Sequence, residues 1–187
     1  YNLFPRPHFA IIDSAILDNS NKISEIKKLR VFLSLDNFFS FKNVKIKDLI
    51  IEKANFNLNK DNYNFFLSLL DKNFQDSNIT IKDSNVFFIN SEDEVLFINK
   101  VIKIKYYFKP KEFKNFFYSE NEIFNIPFSI ETFFNEDKSK IFSEINIDLI
   151  KLKIKNELNL NKDVRIGKSE FNINKIKRFA DYKIEKN

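Results

Sequence analysis

The sequence predicts an α+β protein that is mostly β: a long curled antiparallel β-sheet with an open groove and one or two short helices. Three observations carry that expectation. Apolar and polar residues alternate with period two over most of the chain, as strands with one covered face require. Clusters of Asn, Asp, Ser and Lys interrupt the alternation at short intervals, which is the punctuation of an antiparallel meander. Helical spacing is confined to Phe65, Phe66, Leu69 and Leu70 and, more briefly, to Ile176, Phe179 and Ala180. A long twisted sheet curls around its apolar face without closing and so keeps two edges.

Taken in order, Pro5 and Pro7 hold the start extended. His8 to Ile12 and Ala15 to Leu17 form a strand kinked at Asp13, and Asp18 to Asn21 turn the chain. Ile23 and Ile26 lead into Leu29, Val31, Leu33 and Leu35, which alternate with Arg30, Ser34 and Asp36 as a half-buried strand. After the aromatic link Phe38 to Phe41, Val44 and Ile46 alternate with Lys45 and Lys47. Residues Asp48 to Lys53 are irregular; then Ala54, Phe56 and Leu58 alternate with Asn55, Asn57 and Asn59. Asn59 to Asn62 make a turn, with Asp61 or Asn62 as the N-cap of a short helix over Tyr63 to Asp71.

From Asn78 the pattern is almost wholly β. Ile79, Ile81 and Val86 to Ile89 precede a turn at Asn90 to Asp93, and Ile102, Ile104, Tyr106 and Phe108 form a strand that Pro110 ends. Lys111 to Asn121 read as a loop with an aromatic turn. Ile126 to Phe134 form a strand, Asn135 to Lys138 a turn, and Ile141 to Leu160 the return, with a phase shift after Leu149 that reads as a bulge or bend. Val164 to Ile166 and Phe171 to Ile173 are strand-like, and the Lys-rich tail holds the second short helix. Asp13, Asp48 and Asp83 recur at equal spacing, each at a strand break. They mark either a strand-break-strand repeat within residues 8–108 or a coincidence in a chain rich in Ile, Lys and Asp.

With 187 residues, 43% of them hydrophobic, the chain can bury a core and is read as one domain. The net charge of +5 suits an anionic surface, but both signs are interspersed, and 24 Phe with abundant Ile, Lys and Asn point to a composition bias that discounts basicity. There is no Cys, hence no disulfide and no thiolate metal site. Gly167 is the sole glycine, so Gly-rich phosphate loops are excluded in their usual form. His8, the sole histidine, has no partner in sequence that would make it a base or ligand. Asp61, Asp71 and Glu92-Asp93-Glu94 suit turns and solvent better than an all-carboxylate metal site. No catalytic residue, metal ligand or cofactor is therefore expected. No apolar run reaches the roughly 18 residues a transmembrane helix needs; with no Met in the chain, an initiator is expected before Tyr1, where a signal or anchor could lie.

The succession from Leu29 to Leu70, LRVFLSLDNFFSFKNVKIKDLIIEKANFNLNKDNYNFFLSLL, resembles the amino-terminal region of the AsmA family of bacterial envelope proteins. There a strand leads through a short link, here Phe38-Phe39-Ser40-Phe41, to a strand pair, a turn, here Asp61-Asn62-Tyr63-Asn64, and a short helix. The opening Phe4-Pro5-Arg6-Pro7-His8-Phe9-Ala10-Ile11-Ile12-Asp13 looks like the Pro-led strand that follows the membrane anchor of such proteins. The resemblance implies a non-catalytic domain in the periplasm of a Gram-negative bacterium, anchored to the inner membrane by a segment outside these residues. It implies a part in phospholipid transport between the membranes and in outer-membrane assembly and homeostasis. Its partners are then phospholipid or another acyl lipid and envelope proteins. Alternation selects Leu33, Leu35, Val44, Ile46, Phe56, Leu58, Ile79, Ile81, Ile102 and Ile104 as the groove residues, with head groups at the open side near exposed lysines.

Two other readings stand beside it. A structural or protein-binding β scaffold would bury these faces completely. A nucleic-acid binder would use Lys100, Lys103, Lys105, Lys109, Lys111 and Lys114 among Tyr106, Tyr107, Phe108 and Phe113. Lys103 and Lys105, however, alternate with Ile102, Ile104 and Tyr106, as the solvated face of a strand does, and no nucleic-acid partner is expected.

Overall fold

In the computed structural model, residues 8–18, 21–34, 45–62, 65, 74–75, 77–160 and 164–185 are described. They form one sheet of eleven strands that follow each other across it in chain order. The strands are β1 (His8–Asp18), β2 (Asn21–Leu33), β3 (Ile46–Leu58), β4 (Asn78–Ile89), β5 (Val95–Lys109), β6 (Lys114–Ile123), β7 (Ile126–Phe134), β8 (Lys140–Ile147), β9 (Leu152–Asn159), β10 (Val164–Ile173) and β11 (Ile176–Glu185). Among the described residues nothing pairs outside β1 or β11, and the two do not pair with each other, so the sheet is open.

Nine of the ten junctions are antiparallel, but β3 and β4 are parallel. A parallel pair needs a connection long enough to return the chain to its starting end, and residues 59–77 supply it. The expected helix over Tyr63 to Asp71 falls almost entirely outside the described residues; Phe65 within it is helical. The second expected helix is not formed: Ile176, Phe179 and Ala180 belong to β11. Lys111 to Asn121 are not a loop, because the turn closes by Phe113 and β6 begins at Lys114. The phase shift after Leu149 is a chain reversal. A 3-10 turn (Asp148–Ile150) and left-handed Lys151 split that segment into the hairpin β8–β9.

The two faces differ in chemistry. One carries ion pairs that mostly tie neighbouring strands: Arg30–Glu52 at 2.6 Å, Lys140–Glu157 at 2.6 Å, Lys153–Glu144 at 2.5 Å and Lys177–Glu170 at 3.2 Å. Such half-exposed pairs contribute about 0.2–1 kcal/mol each, so they favour register and solubility more than stability. On this face Tyr107, Phe116, Phe133 and Phe142 stand opposite one another and stack across β5 to β8. The Lys109 ammonium, 3.9 Å from the Phe116 ring centre, helps to bury that phenylalanine. The other face is apolar and holds the core, including Ile26, Ile51, Phe56, Ile81, Ile104 and Tyr106.

A row of irregularities crosses the first five strands. Asp13, Lys53 and Asp83 have φ of 50°, 55° and 49°, in the left-handed region that non-glycine residues rarely occupy. Asp13 and Lys53 both lie opposite Lys27, and Lys53 lies level with Asp83 across the parallel pair. On β5 the row ends at Ile102, which the register with β6 skips. Each bulge adds a residue to its strand and reverses which parity faces the core. The Ser84 hydroxyl repairs the ladder there, accepting from the Ala54 N–H at 3.0 Å and donating to the Lys82 carbonyl at 2.7 Å. At Asp48, the remaining position of the even spacing, the ladder slips by one residue just before it, between Ile46 and Asp48; the left-handed break in β3 is at Lys53.

Candidate functional site

The apolar face bends into a trough. Its deepest part is a cavity of about 340 Å³ bordered by residues from Ile16 on β1 to Ile130 on β7. In a flat sheet these strands would stand six spacings, about 29 Å, apart, so one cavity of this size touching both requires a strongly curled sheet. Its wall is mostly aliphatic and aromatic, with Leu49, Ile51, Phe56, Ile79, Ile81 and Phe117 prominent, and Asn99, Ser119 and Asn121 add polar groups on β5 and β6. The crossover covers part of it. Phe65 borders the cavity, and Phe74, 3% exposed, sets its ring centre 5.7 Å from that of Tyr106 while its N–H donates to Asn115 Oδ1 at 3.2 Å. Burial pushes the Tyr106 phenol well above its ordinary pKa.

Of the residues that alternation selects, the structure brings Phe56, Leu58, Ile79, Ile81 and Ile104 together on the cavity wall. Leu33 is half-buried at the end of β2 opposite Ile46 and does not border the cavity. Ile46, 49% exposed, pairs with Leu33 beyond a one-residue slip of the ladder at Lys47 and does not border the cavity. Ile102, 43% exposed, sits at the β5 bulge where the phase reverses. Leu35 and Val44 lie outside the described residues.

The groove candidates omit Leu49, Ile51, Val86 and Phe88, and also Tyr106, which alternates in one strand with Ile104; all are on the wall. A signal for most of them is present in the sequence. Leu49 and Ile51 form an alternating pair and Ala54, Phe56 and Leu58 an alternating triplet, the two separated by two residues instead of one; Ile79 and Ile81 with Ser84, Val86 and Phe88 do the same. That spacing is what a single bulge inside a continuous strand produces.

The remaining candidates have structural occupations. His8 stacks on Phe32 with ring centres 4.9 Å apart. Glu92 to Glu94 form an exposed turn in which Asn90 Oδ1 accepts from the Glu92 and Glu94 N–H groups, each at 2.9 Å. Among the described residues no group of three or more His, Cys, Asp or Glu is arranged to hold a metal ion. Lys100 pairs with Glu122 and Lys109 with Glu112 and Glu131, each at 3.4 Å, while Lys114 lies 5.3 Å from the Phe133 ring centre. The basic stretch is thus interleaved with acids and rings. Among the described residues no helix is long and apolar enough to cross a membrane.

No protein-family model matches the chain, and no curated protein matches it.

Proposed function

We propose that this chain is a non-catalytic lipid-binding domain whose curled sheet carries an acyl lipid along its apolar trough. The observation that carries the reading is the mostly apolar cavity of about 340 Å³ lined by residues drawn from β1 and β3 to β7, within the range of small-molecule sites. Transfer from bilayer to trough leaves each methylene in an apolar setting. Contact with water would cost about 0.8 kcal/mol per methylene, so the trough removes the barrier to crossing water at little net change in free energy. With the AsmA-like order of elements between Leu29 and Leu70, the role is phospholipid transport between inner and outer membrane and outer-membrane homeostasis. The domain then faces the periplasm on an inner-membrane anchor outside these residues. A structural or protein-binding scaffold is the second reading, favoured by the long free edges, where Phe9, Ile12 and Leu17 of β1 and Ile176 and Phe179 of β11 are exposed.

Native mass spectrometry with lipid extraction, on the chain purified from bacterial membranes, separates the two. Co-purified phospholipid is expected with the wild type and is lost in a folded Phe56→Glu, Leu58→Glu variant. A folded wild type free of lipid would leave only the scaffold.

A further inference from the structure

Successive turns of an antiparallel meander fall at alternate ends of its strands. From β5 to β11 every junction is antiparallel, so the turns β6–β7, β8–β9 and β10–β11 share one end, while β5–β6 and β7–β8 lie at the other. The two ends differ in chemistry. At the first, each turn carries exposed large apolar side chains: Phe124 and Ile126, Leu149 and Ile150, and Ile173 and Ile176. At the second, Asn135 to Ser139 are all polar, and Phe113, 81% exposed, still packs edge-on against Phe108 with ring centres 5.7 Å apart.

Phe124, 80% exposed, has no ring partner among the described residues. It also sits in strained backbone. Its φ is 51°, left-handed geometry in which a bulky side chain is an outlier, and glycine, asparagine or aspartate is the usual residue of such a two-residue turn. A phenylalanine held there without ring packing inside the chain points to an external contact.

The apolar face reaches these tips. Ile130 on the cavity wall stands in line with Ile145, Ile154 and Phe171. At even steps along the same strands the pairs Ile123–Ile126, Ile147–Leu152 and Ile173–Ile176 close the three hairpins on that face. Neighbouring tips are two strand spacings, about 10 Å, apart. Separate apolar fingers at that distance suit a fluid medium that closes around each, whereas a folded partner needs one continuous complementary surface.

Charge favours an anionic medium. Asp148 is the one acid in the three turns, and none lies between Phe171 and Ala180. Lys151, Lys175 and Arg178 are exposed and make no ion pair among the described residues, while Lys177 pairs with Glu170 at 3.2 Å. The β4–β5 turn at the same end carries Glu92, Asp93 and Glu94, which such a medium repels, so the contact stops short of it.

We propose that these three turns form a membrane-docking rim, in which Phe124, Leu149, Ile150 and Ile176 enter the interfacial layer of an anionic phospholipid bilayer and Lys151, Lys175 and Arg178 meet its head groups. The rim lies outside the cavity and docks whether or not the cavity is filled, so it goes beyond the lipid-carrying reading.

The test is co-sedimentation of the full chain with vesicles of equal parts phosphatidylglycerol and phosphatidylcholine, and with vesicles of phosphatidylcholine alone. The wild type is expected to bind the anionic vesicles at least about tenfold more strongly. A Phe124→Ser, Leu149→Ser variant is expected to lose at least about tenfold of that binding, and Phe113→Ser, equally exposed at the other end, none. If the double variant does not fold by circular dichroism, Phe124→Ser alone takes its place, with a loss of about fivefold. Because the chain has no cysteine, Phe124→Cys and Phe113→Cys each accept a single environment-sensitive fluorophore, and only the first is expected to brighten and shift to the blue on anionic vesicles. The folded Phe56→Glu, Leu58→Glu variant is expected to keep vesicle binding. Failure to bind, equal binding to both vesicles, binding that the tip changes leave intact, or an equal response from the Phe113→Cys label overturns the rim. So does sedimentation without vesicles that the tip changes abolish, which would make the tips a contact between copies of the chain. Vesicle binding lost in the folded Phe56→Glu, Leu58→Glu variant would move the bilayer contact to the trough and overturn the rim as well. A chain that docks but carries no lipid overturns the lipid-carrying reading alone.

Discussion

At the residue scale, Gly167 shows what a single atom decides. It lies in a regular stretch of β10 and has no positive φ; it is needed because the Tyr182 ring crosses directly over it. A Cβ at Gly167 would meet Tyr182 Cζ at 2.0 Å, deep inside contact distance. The ring's path across β10 is what lets Tyr182 on β11 reach Asn156 on β9. Gly167→Ala is therefore expected to cost about 1–3 kcal/mol in urea unfolding, the range for overpacking. In a Tyr182→Ala background the same change is expected to cost less than about 0.5 kcal/mol, since the two residues are coupled only through this contact. A full cost in both backgrounds would mean that β10 rejects a side chain there for another reason.

At the scale of single elements, the bulges and turns are built without glycine. Asp13, Lys53 and Asp83 carry left-handed backbone inside strands, and Phe124-Asn125 and Asn174-Lys175 supply the two positive-φ residues of tight hairpins. Left-handed geometry costs a β-branched residue more than glycine, by about 1–2 kcal/mol. Lys53 is exposed, so Lys53→Gly is expected to leave the free energy of urea unfolding nearly unchanged and Lys53→Val to lower it by about that amount. Valine tolerated as well as glycine would deny the bulge its left-handed residue.

The β7–β8 turn adds a pH dependence. The Ser139 hydroxyl and N–H, with Asn135 Nδ2, hold the Asp137 carboxyl below its ordinary value. A carboxylate whose folded pKa lies below its unfolded one stabilises the fold above the unfolded pKa, and that contribution is lost as pH falls through the folded value. Asp137→Asn should thus lower the melting temperature at pH 7 and converge with the wild type in acid. Parallel curves for the two proteins across that range would remove the carboxylate from the account.

At the scale of the whole molecule, burial is concentrated on one side of the sheet. The core is drawn mainly from β2 to β5 and reinforced by Phe74 on the crossover, whereas nearly every described residue of β11 is exposed. Local opening follows local burial. Hydrogen exchange is therefore expected to be slowest in β3 to β5 and fastest in the β10–β11 hairpin. Uniform protection across the eleven strands would mean that the sheet opens only as one unit.

The sequence by itself determined that this chain is a many-stranded open sheet with one apolar face, because period-two alternation and Asn/Asp turns act over a few residues and survive any tertiary arrangement. It marked the kink at Asp13, the break at Asp83, the strand Ile126–Phe134 and five residues of the cavity wall. Only the tertiary structure decided which parity faces inward. One inserted residue per strand reverses it, which is why Ile102, the inserted residue of β5, is exposed, and why odd-numbered Leu49 and Ile51 line the trough before Lys53 while even-numbered Phe56 and Leu58 line it after. It also decided that β3 and β4 run parallel and that Lys114–Ile123 and Ile176–Glu185 are strands. Those outcomes depend on register between strands distant in sequence, and register is set by backbone pairing across the sheet, which the pattern along any one strand does not contain.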